Sequence, residues 1–373
     1  PKDPADTEAV SAPMAAPPSP APIRTGSDEP DDYSDETDTH AEGEEPDYPQ
    51  LIPGGRLMTG AELVRTHPRS EQLDRDSRQP FFLQQARVKL RAVLHKRVRL
   101  TLSADLDSGR PVRSAFVQVR FKRAFQVRFG RFKRPISRTE LTSIGRLPFN
   151  QRGIYNERMI ERVGWGDRAL GLMVRGKFKR PKLNYYAAIM NPGRNIGLGF
   201  LEQTRGVDVL GRVEFRPFKG LWLAVNGGHK IMEPFPDGPN LGLSGLGADA
   251  QLKLGRFKLT LETLAGQNPF APEPPDSEDR TPWAMNVLGY GTYMFDLGGD
   301  FALQPTLLGE WFDTDLEVSQ DEALRLQAGC NLLWREETVR LMPQVTFYLP
   351  LGNVRGRSYV QSESYTLVVS VEI

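Results

Sequence analysis

The feature that most constrains this chain is a succession of alternating segments whose polar faces are basic. Within residues 82–92, Phe82, Ala86, Val88, Leu90 and Ala92 are interleaved with Arg87, Lys89 and Arg91. Within 97–104, Val98, Leu100, Leu102 and Ala104 alternate with Arg97, Arg99, Thr101 and Ser103. Ala115, Val117, Val119 and Phe121 then alternate with Gln118, Arg120 and Lys122, and Val127 and Phe129 flank Arg128. Successive side chains of a strand point to opposite faces, so each of these segments has one apolar and one cationic side. A soluble sheet turns the apolar side to a core and the polar side to water. A membrane barrel turns the apolar side to lipid and the polar side to a water-filled lumen. From Gln84 to Arg134 there are 15 Lys/Arg against only Asp105 and Asp107. A lumen with that bias selects anions.

The spacing of such segments separates the two architectures. Sixteen strands are expected, near 55–65, 81–93, 96–105, 113–122, 124–132, 168–177, 182–190, 207–217, 220–229, 244–254, 256–266, 283–295, 300–312, 322–334, 336–348 and 361–373. Alternation is clean in Leu246–Leu254 and Tyr365–Ile373 and weak in 283–295. Short turns and long connections follow one another strictly, with both termini on the short-turn side. A soluble sandwich has no reason to keep that order, whereas an outer-membrane barrel has short periplasmic turns and long external loops. The fold expected is therefore all-β: a 16-stranded antiparallel transmembrane β-barrel. The third long connection, 133–167, is the longest, and a long ordered loop in a compact protein is usually functional. It is expected to fold inward and narrow the lumen.

Charge divides the chain in two. Residues 1–50 hold 14 Asp/Glu against Lys2 and Arg24, with 10 of the 30 prolines. Such a segment cannot bury enough apolar surface to offset its chain entropy, so it reads as a disordered acidic periplasmic tail. It is read as a solvated linker, as a tether to an envelope partner or the cell wall, or as a segment that enters or caps the lumen and gates it. The remainder, 51–373, carries 46 Lys/Arg and 33 Asp/Glu and reads as one barrel domain. No run of ~18 apolar residues predicts a membrane helix. No leader is visible, and an exported chain of this kind is expected to be the mature form. Cys330 falls on the apolar parity of its strand and is expected to face lipid. Phe81, Tyr185, Phe215, Trp222, Trp283, Tyr293, Trp311, Trp334, Phe347 and Tyr348 lie near strand ends and suit interfacial girdles.

His40, His67, His95 and His229 lack metal-ligand spacing, and no nucleophile elbow or phosphate-cradling loop appears. The chain reads as no enzyme, with no cofactor and no metal. Charge alone is compatible with nucleic acid, but nucleic-acid binding leaves the apolar alternation unexplained, so no nucleic-acid partner is expected.

The segments GGRLMTGAEL (54–63), FFLQQARVKLRAVL (81–94) and VRFGRFKRPISRTELTS (127–143) resemble the phosphate- and polyphosphate-selective porin family of the bacterial outer membrane. DRALGLMVRGKF (167–178), KLNYYAAIMN (182–191) and VLGRVEFRPFKGLWLAVNGG (209–228) continue the resemblance in the family's order. It implies a trimeric 16-stranded barrel passing phosphate or similar small anions by passive diffusion, embedded among lipid and lipopolysaccharide. In the family, basic residues of the wall and of the inward third loop form the path; the matching loop segment here carries Arg131, Lys133, Arg134 and Arg138. The sequence departs from the family in its acidic extension and in ending at Ile373 rather than an aromatic residue. The anion path expected on the lumen wall comprises Arg87, Lys89, Arg91, Arg97, Arg99, Arg120, Arg128 and Arg175, with Arg146 joining the four loop residues. Arg212 and Lys253 share lumen parity, and Asp208, Glu214, Asp249 and Glu262 are placed to neutralise some of these cations. A rival expectation is a non-conducting or gated barrel that anchors an envelope assembly through the acidic tail.

Overall fold

Strand after strand, the alternation becomes a sheet that closes on itself. The computed structural model describes residues 48–66, 80–107, 111–192, 205–233, 241–269, 281–319, 321–335, 337–351 and 362–373. The acidic tail, apart from 48–50, lies outside them, as do most of the long connections. The strands are β1 (Gln50–Thr66), β2 (Phe81–His95), β3 (Val98–Asp105), β4 (Val112–Lys122), β5 (Phe125–Lys133), β6 (Arg168–Phe178), β7 (Leu183–Met190) and β8 (Arg205–Phe215). They continue as β9 (Leu221–Glu233), β10 (Leu241–Leu254), β11 (Phe257–Gln267) and β12 (Trp283–Tyr293, resuming as Phe295–Gly298). β13 (Phe301–Asp313), β14 (Glu322–Trp334), β15 (Val339–Pro350) and β16 (Ser362–Glu372) complete the set. Each pairs antiparallel with its sequence neighbours, and β1 pairs with β16 from Arg56↔Glu372 to Thr66↔Ser362. The result is a closed 16-stranded barrel with no open edge. β1 begins at Gln50, five residues earlier than its alternation indicates.

Parity sorts the side chains as expected. Phe129, Leu246 and Leu307 are 66%, 58% and 68% exposed on the outer face, where a lipid bilayer is their natural surrounding. Cys330 lies half-buried on that same face, in register with Pro305. Of the aromatic residues at strand ends, Trp222 and Tyr348 instead point inward; Arg216 stacks on Trp222, and the Tyr348 hydroxyl donates to Gln151.

What fills the barrel is its own connection between β5 and β6. That loop contains α1 (Arg138–Leu141), a tight turn at Ile144–Arg146 and a wide helical turn over Asn156–Arg162. Its Phe149, Ile154, Tyr155, Met159, Ile160 and Trp165 pack against Leu210, Leu264, Leu288, Tyr290, Leu308 and Phe312 of the wall. The main apolar core thus lies inside the lumen, between loop and wall. Among the described residues no helix is long and apolar enough to cross a membrane.

Candidate functional site: a basic passage beside the third loop

The loop is pinned to one side of the barrel by buried polar contacts. Arg134 pairs with Asp208 of β8, which also accepts from Lys230 of β9 at 2.9 Å. Arg138 reaches Asp249 of β10 at 2.8 Å, and Arg212 grips the same carboxylate at 2.6 and 3.0 Å. Glu262 of β11 accepts from the Thr139 amide at 2.9 Å and from the Tyr155 hydroxyl at 3.1 Å. Glu310 of β13 accepts from the Ile154 and Tyr155 amides, both at 2.9 Å, at the start of the wide helical turn. Amide hydrogens unpaired at a helix start favour an anion there. Burial and the neighbouring Glu262 push the Tyr155 hydroxyl well above its ordinary pKa, so it stays a neutral donor. Beyond β13, Asn331 and Gln344 donate to the Pro148 carbonyl at 2.8 and 3.0 Å. These loop-to-wall charges stand buried in pairs, and removing one member of such a pair costs about 3–5 kcal/mol. Trp165 seats against two glycines: a Cβ on Gly266 would lie 2.8 Å from the indole nitrogen, and one on Gly245 would lie 2.9 Å from the ring.

The opposite side stays open. A cavity of about 180 Å³ lies between the loop and strands β1–β6 and β16. Arg56, Arg87, Lys89, Arg91, Lys133, Arg146 and Arg168 line it; Glu372 is its one acidic lining residue. Across its wall runs an alternating ladder. Glu372 faces Arg56 at 2.5 Å, and Arg56 lies in register with Arg87. Arg87 meets Asp105 at 2.6 and 2.9 Å, Asp105 meets Arg113 at 3.2 Å, and Asp167 meets Arg113 and Arg168, each at 3.6 Å. Like charges directly opposite on a sheet repel, so Glu372 and Asp105 offset the Arg56–Arg87 contact from either side. Burial alone would raise the Asp167 carboxyl, but Arg113, Arg168 and Arg131 hold it below the ordinary range. Lys133 donates to the carbonyls of Glu140, Leu141 and Thr142 at 2.7, 3.0 and 3.3 Å, capping the C-terminal end of α1.

The structure divides the expected path residues. Arg87, Lys89, Arg91, Lys133 and Arg146 line the cavity together. Arg99 and Arg120 face inward nearer the short turns, half-buried and outside the lining; Arg120 donates to the Lys96 carbonyl at 3.4 Å. Arg97 sits exposed in the β2–β3 turn rather than on the wall, because β3 begins only at Val98. Arg128 is buried against Gln118 and stacks over Phe116 at 4.2 Å, and Arg175 is buried against Tyr186 at 5.5 Å. Arg134 and Arg138 hold the loop instead of facing the opening, because Asp208 and Asp249 stand where they dock. Arg131 belongs to β5, where its Nε donates to the Arg113 carbonyl at 3.1 Å. Arg212 is paired within the wall, and Lys253 is half-buried near the short turns. Arg56 and Arg168, not among the expected path residues, do line the cavity. Their inward parity is visible in the sequence only once the strand starts are known.

Residues 69–205 match the family model described as phosphate-selective porin O and P. No curated protein sequence matches significantly. Among solved structures, OmpT of Vibrio cholerae in its trimer form aligns at 11% identity and TM-score 0.58, over 88% of this chain and 100% of that one. The outer membrane channel DcaP of Acinetobacter baumannii aligns at 11% identity and TM-score 0.59, over 87% and 97%. OmpF of Salmonella typhi, in complex with daunomycin, aligns at 11% identity and TM-score 0.53, over 87% and 97%. At such identities these likenesses show the fold. Together with the family match they support an outer-membrane channel rather than an enzyme. The match over residues 69–205 is to phosphate-selective porin O and P, the family that the segments from Gly54 to Gly228 resemble, and it is carried on a closed barrel of the porin fold.

Proposed function

We propose that this chain is an integral outer-membrane porin that passes small anions, phosphate among them, through the basic passage beside its third loop. The observation that carries the reading is the lining: seven Lys/Arg and a single acid, Glu372, around one narrow opening. Bringing an anion into such a space strips its hydration, which is costly unless fixed donors replace it. Guanidinium groups present several donors suited to phosphate oxygens and stay charged at every relevant pH. Arg87, Lys89 and Arg91 alternate along one strand face, so cations recur about every 7 Å. Several shallow sites let an ion move on where one deep site would trap it. In this reading the short turns and the N-terminal tail face the periplasm, and three copies associate as in the trimer form of OmpT.

The test is the reversal potential of the purified protein in planar bilayers under a KCl gradient, compared with the Lys89→Gln/Arg91→Gln double variant. We expect an anion-side potential in the wild type, current reduced by added phosphate, and a several-fold lower anion-to-cation permeability ratio in the variant. A cation-side potential, or an unchanged ratio in the variant, removes the passage from the argument. Folded protein that gives no channels returns the chain to the rival reading of an anchoring barrel.

A further inference from the structure

The short-turn rim carries a charge pattern that the passage does not use. Five successive short turns, at 96–97, 123–124, 179–182, 216–220 and 255–256, contain nine Lys/Arg and no Asp or Glu. They connect β2 through to β11. Lys96, Arg97, Lys179, Arg180, Lys219 and Arg256 are exposed, so packing does not dictate their identity. The other two short turns differ: 299–300 carries Asp300, and 335–338 carries Arg335 against two glutamates. The excess is therefore confined to one arc of the rim. Like charge concentrated on one arc repels itself and attracts a counter-charge.

The chain supplies one. Residues 28–47 contain eleven Asp/Glu and no Lys or Arg. They lead directly into Tyr48, whose ring lies 6.1 Å from that of His95, the residue preceding the first basic turn. The acidic segment is thus delivered at one end of the basic arc. Twenty extended residues reach roughly 65–70 Å, and ten tilted strands occupy roughly 45–60 Å of rim. Length and charge both fit.

We propose that residues 28–47 dock along the short-turn rim from the β2–β3 turn toward the β10–β11 turn. Exposed pairs are individually weak, but a tethered segment meets its partners at an effective concentration in the millimolar range, so many weak contacts accumulate. The tether keeps this occupant at the rim in any lipid, whereas anionic headgroups compete only where the surrounding leaflet contains them. The docking is independent of whether the barrel conducts.

Carbodiimide cross-linking of the full chain in zwitterionic micelles, read by mass spectrometry, tests the proposal. The reagent joins a carboxylate to a lysine only when the two are in direct contact. At about 20 mM NaCl we expect links from 28–47 to Lys96, Lys179, Lys182 and Lys219, falling at least about five-fold at 0.5 M as screening shortens the reach of charge. An absence of such links at low salt overturns the proposal, as does an equal yield at both salts. Links to Lys89 in their place overturn it in favour of entry into the passage. Repetition in nanodiscs separates the lipid alternative. Links that persist in phosphatidylglycerol support the proposal; links present in phosphatidylcholine and lost in phosphatidylglycerol make headgroups the occupant.

Discussion

Asp105 pairs with two arginines, Arg87 and Arg113, and under the proposed function would set how much positive charge an ion meets. Changing Asp105→Asn keeps the shape and removes the counter-charge. We expect the anion-to-cation permeability ratio to rise several-fold, measured as a larger reversal potential; a fall would mean that Asp105 orients Arg87 rather than masking it. A second carboxylate speaks to pH. Burial, then Asp313, Asp315 and Glu322, push Asp321 in the β13–β14 connection from 3.8 up to about 7. The folded chain therefore holds that proton more tightly than the unfolded chain. Stability is fully present below the unfolded value and falls as pH rises through the window between the two values, by up to about 1.4 kcal/mol per pH unit. Asp321→Asn is expected to raise the melting temperature at pH 8 and leave it unchanged near pH 4. Equal effects at both pH values would assign the gain to packing.

At the scale of elements, the third loop decides how much of the barrel stays open. Trp165 of the loop seats against Gly245 and Gly266, so a side chain at either glycine competes with the indole. Gly266→Val is expected to displace the loop end, raise single-channel conductance and broaden its distribution, measured in the same bilayers. Unchanged conductance would place the narrowest point elsewhere on the loop. This packing also explains why alternation is weak in β12, where Leu288 and Tyr290 face inward and are apolar because the loop covers them. The clean alternation of β2 and β3 goes with inner residues Arg87, Lys89, Arg91, Thr101 and Ser103, which line the cavity instead of packing against the loop. Arg134 and Arg138 have the composition of path residues, but they are drawn away by acids 74 and 111 positions distant in sequence. Spacing along the chain carries no information about such partners.

Across the whole molecule, the proposed function draws its selectivity from summed charge around the cavity rather than from one tight site. Screening length falls from about 10 Å at 0.1 M salt to about 3 Å at 1 M. The anion preference is therefore expected to weaken steadily between those concentrations in a reversal-potential series. A preference independent of salt would point instead to a single dehydrated binding site. The barrel seam contributes as a structural unit: Gly55 and Ile373 exchange amide hydrogen bonds at 3.0 Å each way, so β1 and β16 close the sheet at the rim from which the chain enters.

The sequence by itself determined the strand number, the order of short and long connections, the inward and outward faces, and the basic character of the β2–β5 wall. These follow from a two-residue period and from turn spacing, both local properties of the chain. Tertiary structure alone decided which cations face the opening and which are spent in pinning the loop. A cation's role depends on where the nearest carboxylate stands, and in a closed barrel that carboxylate lies across the lumen, on a strand the local pattern does not relate to it.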